Sequence, residues 1–312
     1  MSEKDKKQEP VCDQGGACEQ CEHANPDGSC KKGIDPLDDK VSHNLSHIRN
    51  RLLVLSGKGG VGKSTVSANL AVVLARRGYR VGLMDVDLHG PSIPGMLGLS
   101  EQAALSDGDW IQPLLYEVDG SPEAKPLRVV SISFFLRGRD EPVIWRGPMK
   151  HSAIKQFIGQ VLWGPLDFLL VDSPPGTGDE PLSIAQTIPG AKAVVVTTPQ
   201  DVSLSDVRRS INFCRSLKME VLGVIENMSG LDCPHCGGHI DLFKSGGGEK
   251  MAQQMNVPFL GRLPIDPAIV IASDEGRPLA GPSAEDATAD DSRPAVDAFE
   301  RIVDEVVARS DT

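Results

Sequence analysis

One glycine-rich run constrains the fold of this chain more than any other feature. Residues 57–64 read GKGGVGKS, which fits the pattern G-x-x-x-x-G-K-[ST]. Leu52–Leu55 before the run predicts a buried strand, and Ser67–Arg77 after it predicts a helix. Glycines between a strand and a helix let backbone N–H groups surround phosphate oxygens, and the helix N-terminus adds partial positive charge. The run therefore predicts a phosphate-binding loop in an α/β domain.

Further short aliphatic runs continue the strand pattern beyond this loop. They are Val81–Met84, Phe168–Val171, Ala193–Val196, Val221–Ile225 and Phe259–Gly261. Runs apolar on both faces are typical of strands buried in a parallel sheet, and helical patterns such as Ser205–Leu217 lie between them. We predict a three-layer P-loop NTPase fold, with a mostly parallel sheet covered by helices on both faces. Functional loops then belong at the carboxyl ends of the strands.

The chain divides into two parts by composition. Residues 1–40 have almost no aliphatic periodicity and cannot bury a core without a metal or a docking surface. We predict a Cys-rich metal- or cluster-binding segment over residues 1–40 and a P-loop ATPase domain over residues 41–312. Within that domain, residues 100–128 are expected to be loop-rich and residues 274–293 to be acidic and exposed. Val296–Arg309 is expected to be an acidic helix packed on the domain.

Charge and hydrophobicity exclude several classes of protein. The net charge of −11 argues against a broad basic face that binds nucleic acid. The first ten residues have no apolar signal region, and the longest apolar stretch, Ala68–Ala75, is far shorter than the roughly 20 residues of a membrane span. We therefore expect a cytoplasmic protein without membrane or nucleic-acid partners.

The phosphate loop predicts an ATP and Mg²⁺ site with assignable roles. Lys63 is expected to contact the β- and γ-phosphates, and the Ser64 hydroxyl is expected to ligate Mg²⁺. Asp172 ends a predicted strand and can hold Mg²⁺ through water. Asp85 and Asp87 end another strand, and we favour Asp87 as the residue near Mg²⁺ that orients the attacking water. The residues predicted to bind the nucleotide here are Gly57, Lys58, Gly59, Gly60, Val61, Gly62, Lys63, Ser64 and Thr65.

A second motif, Cys233-Pro234-His235-Cys236, places two thiols on one turn. A [4Fe–4S] cluster needs four thiolates, and two chains related by a two-fold axis would supply them. Structural zinc with Cys233, Cys236 and His239 as ligands is an alternative, and so is a redox dithiol. The spacing leaves these readings open.

The remaining cysteines form a separate set and a single residue. The set in the N-terminal segment comprises Cys12, Cys18, Cys21 and Cys30. Four thiols in one short segment can complete a tetrahedral site within one chain, which leaves a stable cluster and zinc as alternatives. Cys214 lies alone in a helical pattern, and we expect it to be a small core residue.

The chain as a whole resembles the Mrp/ApbC family of iron–sulfur cluster carrier ATPases over about residues 41–275. Its phosphate loop is similar to the deviant Walker A motif, whose signature lysine corresponds to Lys58. Other shared stretches are Asp85–Pro94, Asp172–Asp179, Glu226–Ser229, Cys233–Gly237 and Gly246–Gly248.

The resemblance implies further roles for particular residues. Lys58 would reach the nucleotide of a partner chain in a homodimer and so take part in catalysis. Asn227 would contact the adenine, with Pro264 and Asp266 near the base. Cys233 and Cys236 would bind a labile cluster between two subunits, and the N-terminal cysteines resemble the cluster site of larger scaffold members, with different first and last gaps.

These features together lead to one functional hypothesis and two rivals. We expect an ATP-dependent carrier or scaffold that receives a [4Fe–4S] cluster from a donor scaffold and transfers it to apo-proteins, with slow, regulatory ATP hydrolysis. The alternative is a MinD/ParA-like positioning ATPase with structural zinc sites, against which the acidic tail helix and paired cysteines count. An electron-transfer protein like the nitrogenase iron protein would carry widely spaced ligands rather than a CxxC pair.

Overall fold

The computed structural model describes residues 36–87, 90–118, 121–135, 147–233, 236–278 and 294–310. Its strands are β1 (Ile48–Ser56), β2 (Val81–Asp85), β3 (Ser106–Asp107), β4 (Trp110–Ile111), β5 (Leu114–Tyr116), β6 (Leu127–Ser131), β7 (Leu166–Asp172), β8 (Lys192–Thr197), β9 (Val221–Glu226), β10 (Leu231–Asp232), β11 (His239–Ile240) and β12 (Phe259–Arg262). Its helices are α1 (Pro36–Ser46), α2 (Lys63–Arg76), α3 (Ile93–Met96), α4 (Gly147–Gly159), α5 (Asp179–Thr187), α6 (Asp201–Ser216), α7 (Gly247–Gln254), α8 (Pro267–Asp274) and α9 (Pro294–Ser310).

A central sheet organises this part of the chain. In the described residues its strand order is β12-β9-β8-β1-β7-β2-β6-β5, with every neighbouring pair parallel except β5 and β6. One apolar cluster lies between the sheet and helices α2 and α9, and a second lies between the sheet and helices α1, α4, α6 and α7. The predicted three-layer fold is confirmed, because strands buried on both faces need a helical layer on each side.

The predicted strands and helices match the structure at their centres. Each of the six aliphatic runs lies within or overlaps a strand, and the helix predicted after the glycine-rich run begins earlier, at Lys63. Residues 100–118 and 121–128 are mostly loop, as expected, but the short strands β3, β4, β5 and the first residues of β6 also lie there. These strands are short, and Arg128 interrupts the apolar run of β6, so their pattern is weak in the sequence.

Helix α1 crosses the domain boundary that we predicted at residue 40. It packs on α4, where the Asn44 side-chain amide donates to the carbonyl oxygens of Ile158 and Val161 at 2.8 and 2.9 Å. The Asp38 carboxylate pairs with the Lys155 ammonium at 2.6 Å. Residues 36–40 are therefore attached to the helical layer that contains α4.

Helix α9 lies in the helical layer on the other face of the sheet, together with α2. Phe299, Val303 and Val306 are buried, as the periodicity of the tail predicts, and the helix packs on α2. Arg77 at the end of α2 bonds to Glu300 and pairs with Asp304 at 2.6 Å. None of the helices among the described residues combines the length and hydrophobicity that a bilayer crossing requires.

Candidate nucleotide site and cysteine hairpin

The carboxyl ends of three adjacent strands bring the predicted nucleotide-site residues together. Strand β1 leads into the glycine-rich loop, and it pairs with β7, which in turn pairs with β2. The register places Asp172 beside Val54 on one side and beside Asp85 on the other. Sequence positions more than a hundred residues apart therefore meet at one edge of the sheet.

The glycine-rich loop has the shape that its sequence predicts. Gly60 and Gly62 have φ angles of 77° and 78°, in the left-handed region that favours glycine. A Cβ on Gly57 would lie 2.5 Å from the backbone of Asp206, so helix α6 packs directly against the start of the loop. A Cβ on Gly59 or Gly60 would meet no protein atom within 4 Å, so the outer side of the loop is open. These features fit a cradle for phosphate oxygens.

Lys63 and Asp172 form the charged centre of the site. The Lys63 ammonium lies 2.8 Å from Asp172 Oδ1 and 3.8 Å from Asp87 Oδ2. Ser64 Oγ donates to Asp172 Oδ2 at 2.6 Å. Asp172 is fully buried, and such a carboxylate is stable only when it is paired and hydrogen-bonded. The predicted phosphate and Mg²⁺ ligands therefore lie together, and the oxygen and amine groups present suit a nucleotide with Mg²⁺.

Ser67 completes this arrangement and was not predicted from the sequence. Its hydroxyl donates to Asp172 Oδ1 at 2.7 Å. Ser67 lies four residues after Lys63, one turn further along α2, so the two side chains share a helix face. That spacing is the signal that could have identified it.

Asp85 and Asp87 occupy different environments. Asp85 is fully buried and accepts hydrogen bonds from Ser131 Oγ at 3.1 Å and from the Asp87 amide at 3.2 Å. Burial, with a smaller contribution from the charge of Asp172, raises the pKa of Asp85 to about 8. Asp87 keeps 13% of its side chain exposed. Its position is the more accessible of the two to a reacting water.

An open cleft lies in front of Asp87. Its volume is about 560 Å³, and its other lining residues come from the loop after β2 and the segment after β7: Gly90, Pro174, Pro175, Gly178, Asp179, Glu180 and Pro181. The loop after β2 and the segment after β7 therefore share one cavity with Asp87.

Of the residues that the resemblance assigned to the base, Asn227 lies beside the same loop. The Asn227 side-chain amide donates to the Val61 carbonyl oxygen at 2.9 Å. The Leu263 amide donates to the Glu226 carbonyl at 2.8 Å, and the Ile265 amide donates to the Gly230 carbonyl at 2.8 Å, which aligns Pro264 with this segment. Asp266 caps α8 by accepting from the Ala268 amide at 2.9 Å. The adenine-contacting roles of Asn227, Pro264 and Asp266 stay predictions.

Cys233 and Cys236 lie on the β10–β11 hairpin, which the structure describes over residues 231–233 and 236–240 and which we call the cysteine hairpin. The Gly237 amide donates to the Cys233 carbonyl at 2.8 Å, and the Cys233 amide donates to the Gly238 carbonyl at 3.0 Å. Cys236 is exposed and Cys233 is half-buried, so the turn presents thiols at the surface. No group of three or more His, Cys, Asp or Glu side chains that could hold a metal ion occurs in the described part of the chain.

His239, the third ligand in the zinc alternative, is occupied by carboxylates. Its Nδ1 lies 2.7 Å from Asp232 Oδ1 and its Nε2 lies 3.2 Å from Asp241 Oδ1. The hydrogen bond to Asp232, followed by that to Asp241, raises the pKa of His239. This arrangement favours an imidazolium rather than a neutral metal ligand.

The other cysteines divide as follows. Cys214 is fully buried in α6, which confirms it as a core residue, and burial raises the pKa of its thiol to about 12. Cys12, Cys18, Cys21 and Cys30 lie outside the described residues.

Lys58 is half-buried on the phosphate loop, and its predicted role at the nucleotide of a partner chain stays a prediction.

Glu226 is a further buried residue that the sequence analysis left without a role. It ends β9, is fully buried, and accepts from Ser229 Oγ at 2.6 Å and from the Gly246 amide at 2.9 Å. It also accepts from the Gly248 amide at the start of α7. Only its position at a strand end, directly before Asn227, marks it in the sequence.

Comparison with known proteins agrees with this geometry. A family model described as ParA, NUBPL iron-transfer P-loop NTPase matches residues 47–307. An iron-sulfur cluster carrier protein of Methanocaldococcus jannaschii is 45% identical over 86% of this chain and 90% of that protein. A protein of Dictyostelium discoideum named cytosolic Fe-S cluster assembly factor NUBP2 homolog is 51% identical over 74% of this chain and 87% of its own.

A solved structure extends the comparison to three dimensions. The nucleotide-binding protein of Archaeoglobus fulgidus, in complex with ADP, is 38% identical and superposes with a TM-score of 0.66. The match covers 77% of this chain and 91% of the other. The family model and the relatives together cover both the glycine-rich loop and the cysteine hairpin. The chain therefore belongs to the NUBPL iron-transfer family of P-loop NTPases.

Proposed function

We propose that this protein is an ATP-dependent carrier or scaffold of iron–sulfur clusters that delivers its cluster to apo-proteins. The observation that carries the proposal is the position of the cysteine hairpin. It presents Cys233 and Cys236 at the surface, and it leaves the sheet from β9, whose next residue, Asn227, contacts the phosphate loop. The names of the relatives, an iron-sulfur cluster carrier and a cytosolic assembly factor, agree with this proposal.

The cargo is a [4Fe–4S] cluster shared by two copies of the chain. Each copy supplies two thiolates, so a homodimer supplies the four that such a cluster needs. Thiols on an exposed turn suit a cargo that must leave, because a retained cofactor is better held in a buried site. The engagement of His239 by Asp232 and Asp241 counts against zinc at this position.

ATP and Mg²⁺ occupy the site at the edge of the sheet. Mg²⁺ there would neutralise charge that develops on the phosphates. Ser64 and Asp172 would hold the metal ion, Lys63 would contact the β- and γ-phosphates, and Asp87 would orient the attacking water from the edge of the cleft. Asn227, Pro264 and Asp266 would enclose the base. Lys58 would contribute to catalysis from the partner chain.

Hydrolysis is coupled to cluster loading or release rather than to product formation. The cleft beside Asp87 is lined by the loop after β2 and the segment after β7, and both would respond when the γ-phosphate leaves. Slow turnover would give the protein time to meet a donor scaffold and an acceptor apo-protein in the cytoplasm. The N-terminal cysteines would hold a second cluster or zinc.

Anaerobic reconstitution with iron and sulfide tests this function. Iron, sulfide and zinc are measured per chain, with sedimentation, for the wild type, Cys233→Ala/Cys236→Ala and Cys214→Ala. We expect the double variant to lose about two iron atoms per chain and the cluster-dependent dimer, since a bridging [4Fe–4S] cluster gives each chain half its iron. Cys214→Ala should match the wild type, because this thiol is buried in the core.

Two results would contradict the proposal. The first is zinc in place of iron and sulfide at the Cys233/Cys236 site, which would leave an ATPase with structural metal. The second is normal cluster transfer to an apo-protein by the double variant, which would show that these thiols do not carry the cargo.

A further inference from the structure

The cysteine hairpin is an excursion from the main fold, and its two flanking segments meet at one side chain. The chain leaves β9 through residues 227–230 and returns through residues 241–246 to α7. Ser229 Oγ in the outgoing segment donates to Glu226 Oε1 at 2.6 Å. The Gly246 amide in the returning segment donates to the same oxygen at 2.9 Å, and the Gly248 amide donates to Oε2. The Glu226 carboxylate therefore joins the two chain segments that lead into and out of the hairpin.

Glu226 also adjoins the nucleotide site through the next residue. The Asn227 amide donates to the Thr197 carbonyl at 2.7 Å, and its side chain donates to the Val61 carbonyl of the phosphate loop at 2.9 Å. A Cβ on Gly62 would lie 2.3 Å from Asn227 Nδ2, so loop and side chain are in tight contact. A shift of the loop can therefore reach Glu226 through Asn227.

The contacts around Glu226 leave little room for independent movement. A Cβ on Gly248 would lie 3.0 Å from Glu226 Oε2 and 3.2 Å from Thr197 Cγ2, so α7 begins directly on this carboxylate. Glu226 is fully buried, and a buried amide that loses its acceptor is costly. The two flanking segments and the end of β9 are thus expected to move together.

We infer that Glu226 is a positioning residue that couples the nucleotide state of the phosphate loop to the position of the Cys233–Cys236 turn. This inference rests on the proposed function, in which a nucleotide binds the loop and the two thiols bind cargo. Neither Glu226 nor Ser229 touches nucleotide or cluster; their effect is transmitted through Asn227 on one side and the cysteine hairpin on the other.

The test measures how fast the two thiols react in reduced, metal-free protein. An alkylating reagent is added with and without Mg²⁺ and a non-hydrolysable ATP analogue, and each cysteine is quantified by peptide mass spectrometry. Buried Cys214 serves as the internal reference. Sedimentation of the same samples ensures that proteins are compared in the same oligomeric state, and analogue affinity is measured for each.

Glu226→Gln is the main variant, because it keeps the side-chain volume but replaces one acceptor oxygen with an amide NH2 group, which donates hydrogen bonds and cannot accept from a backbone amide. We expect the analogue to change labelling of Cys233 and Cys236 at least about fivefold in the wild type, a typical size for coupling between sites. In Glu226→Gln the change should fall below about twofold while the analogue still binds.

Two further variants sharpen the test. Glu220→Gln is the matched control, since this exposed glutamate lies directly before β9 and pairs with Lys192 at 3.4 Å; it should behave as the wild type. Ser229→Ala removes a single hydrogen bond to Glu226 and should give an intermediate response, and it replaces Glu226→Gln if that variant does not fold.

The inference would be overturned if the thiols of the wild type reacted equally fast with and without the analogue. It would also be overturned if the analogue changed labelling in Glu226→Gln as much as in the wild type. Where Glu226→Gln does not fold, the same result in Ser229→Ala would overturn it. Because the labelled protein contains no metal, these results do not depend on cluster assembly. Failure of iron reconstitution would contradict the proposed function alone.

Discussion

At the scale of single residues, the candidate site is dominated by a cation held among carboxylates. Lys63 is 6% exposed and lies 2.8 Å from the fully buried Asp172. The ammonium therefore compensates a charge that would otherwise be unfavourable inside the protein. The same lysine that is expected to contact phosphates stabilises the nucleotide-free fold, so its loss should affect stability as well as binding.

Lys63→Met should lower the free energy of unfolding of the nucleotide-free protein by about 3 kcal/mol, because it leaves Asp172 buried without its cation. Urea unfolding in the presence of a chelator measures this. In the double variant Lys63→Met/Asp172→Asn, much of the lost free energy of unfolding should be recovered, because the uncompensated charge is then removed. Lys58→Met, in the same loop, is the control and should change stability by no more than about 0.5 kcal/mol. Equal effects of the two lysine variants would refute this account.

At the scale of secondary-structure elements, the beginnings of β2 and β7 are joined by one ion pair. The Arg80 backbone amide, Nε and Nη2 donate to Asp167 at 2.8, 3.0 and 2.7 Å. The side-chain hydrogen bond from Arg80 is the main reason that the pKa of Asp167 is lowered to about 2. This contact lies at the end of the sheet opposite the candidate site, so it affects stability without affecting the site directly.

The lowered pKa of Asp167 predicts a pH dependence of stability. A carboxyl whose pKa is lower in the folded protein than its ordinary value of 3.8 stabilises the fold above that value, and this stabilisation is lost as pH falls toward about 2. Asp167→Asn should lower the melting temperature by a few degrees at pH 6. The difference in melting temperature between this variant and the wild type should become smaller below pH 4. Asp107→Asn, at an exposed position, is the control. A difference that is the same at every pH would contradict this prediction.

At the scale of the whole molecule, helix α9 covers a part of the apolar core that the rest of the described chain does not cover. Helix α9 begins about thirty residues after the end of β12, yet it packs on β12 and on α2, which begins at the phosphate loop. The tail is therefore part of the folding unit that contains the site.

Phe299→Ala should lower the free energy of unfolding by about 3–5 kcal/mol, because Phe299 is 2% exposed and its truncation leaves a cavity. Val296→Ala, at a partly buried position of the same helix, should cost less than about 1.5 kcal/mol. Urea unfolding followed by circular dichroism measures both. A separate early transition in Phe299→Ala, with the main transition unchanged, would show that α9 does not belong to the same cooperative unit.

The sequence by itself determined the elements with strong periodicity and the motifs that are local. Residues 57–64 specify the phosphate loop, because glycines at positive φ and a following helix are properties of adjacent residues. Six aliphatic runs identified the central strands, and the tail pattern identified α9. Short strands such as β5 and β6 were missed, because a few residues beside a loop give too weak an alternation.

Only the tertiary structure decided which polar groups meet. Asp172 lies beside Asp85 because β7 and β2 pair in that register, and no local pattern encodes a pairing between strands so distant in sequence. The roles of Ser67 in holding Asp172 and of Glu226 in holding the cysteine hairpin follow from burial and hydrogen bonding in the folded chain. Short-range residue preferences determine the individual strands, helices and loops. Packing of the sheet between its two helical layers determines which side chains of these elements come into contact.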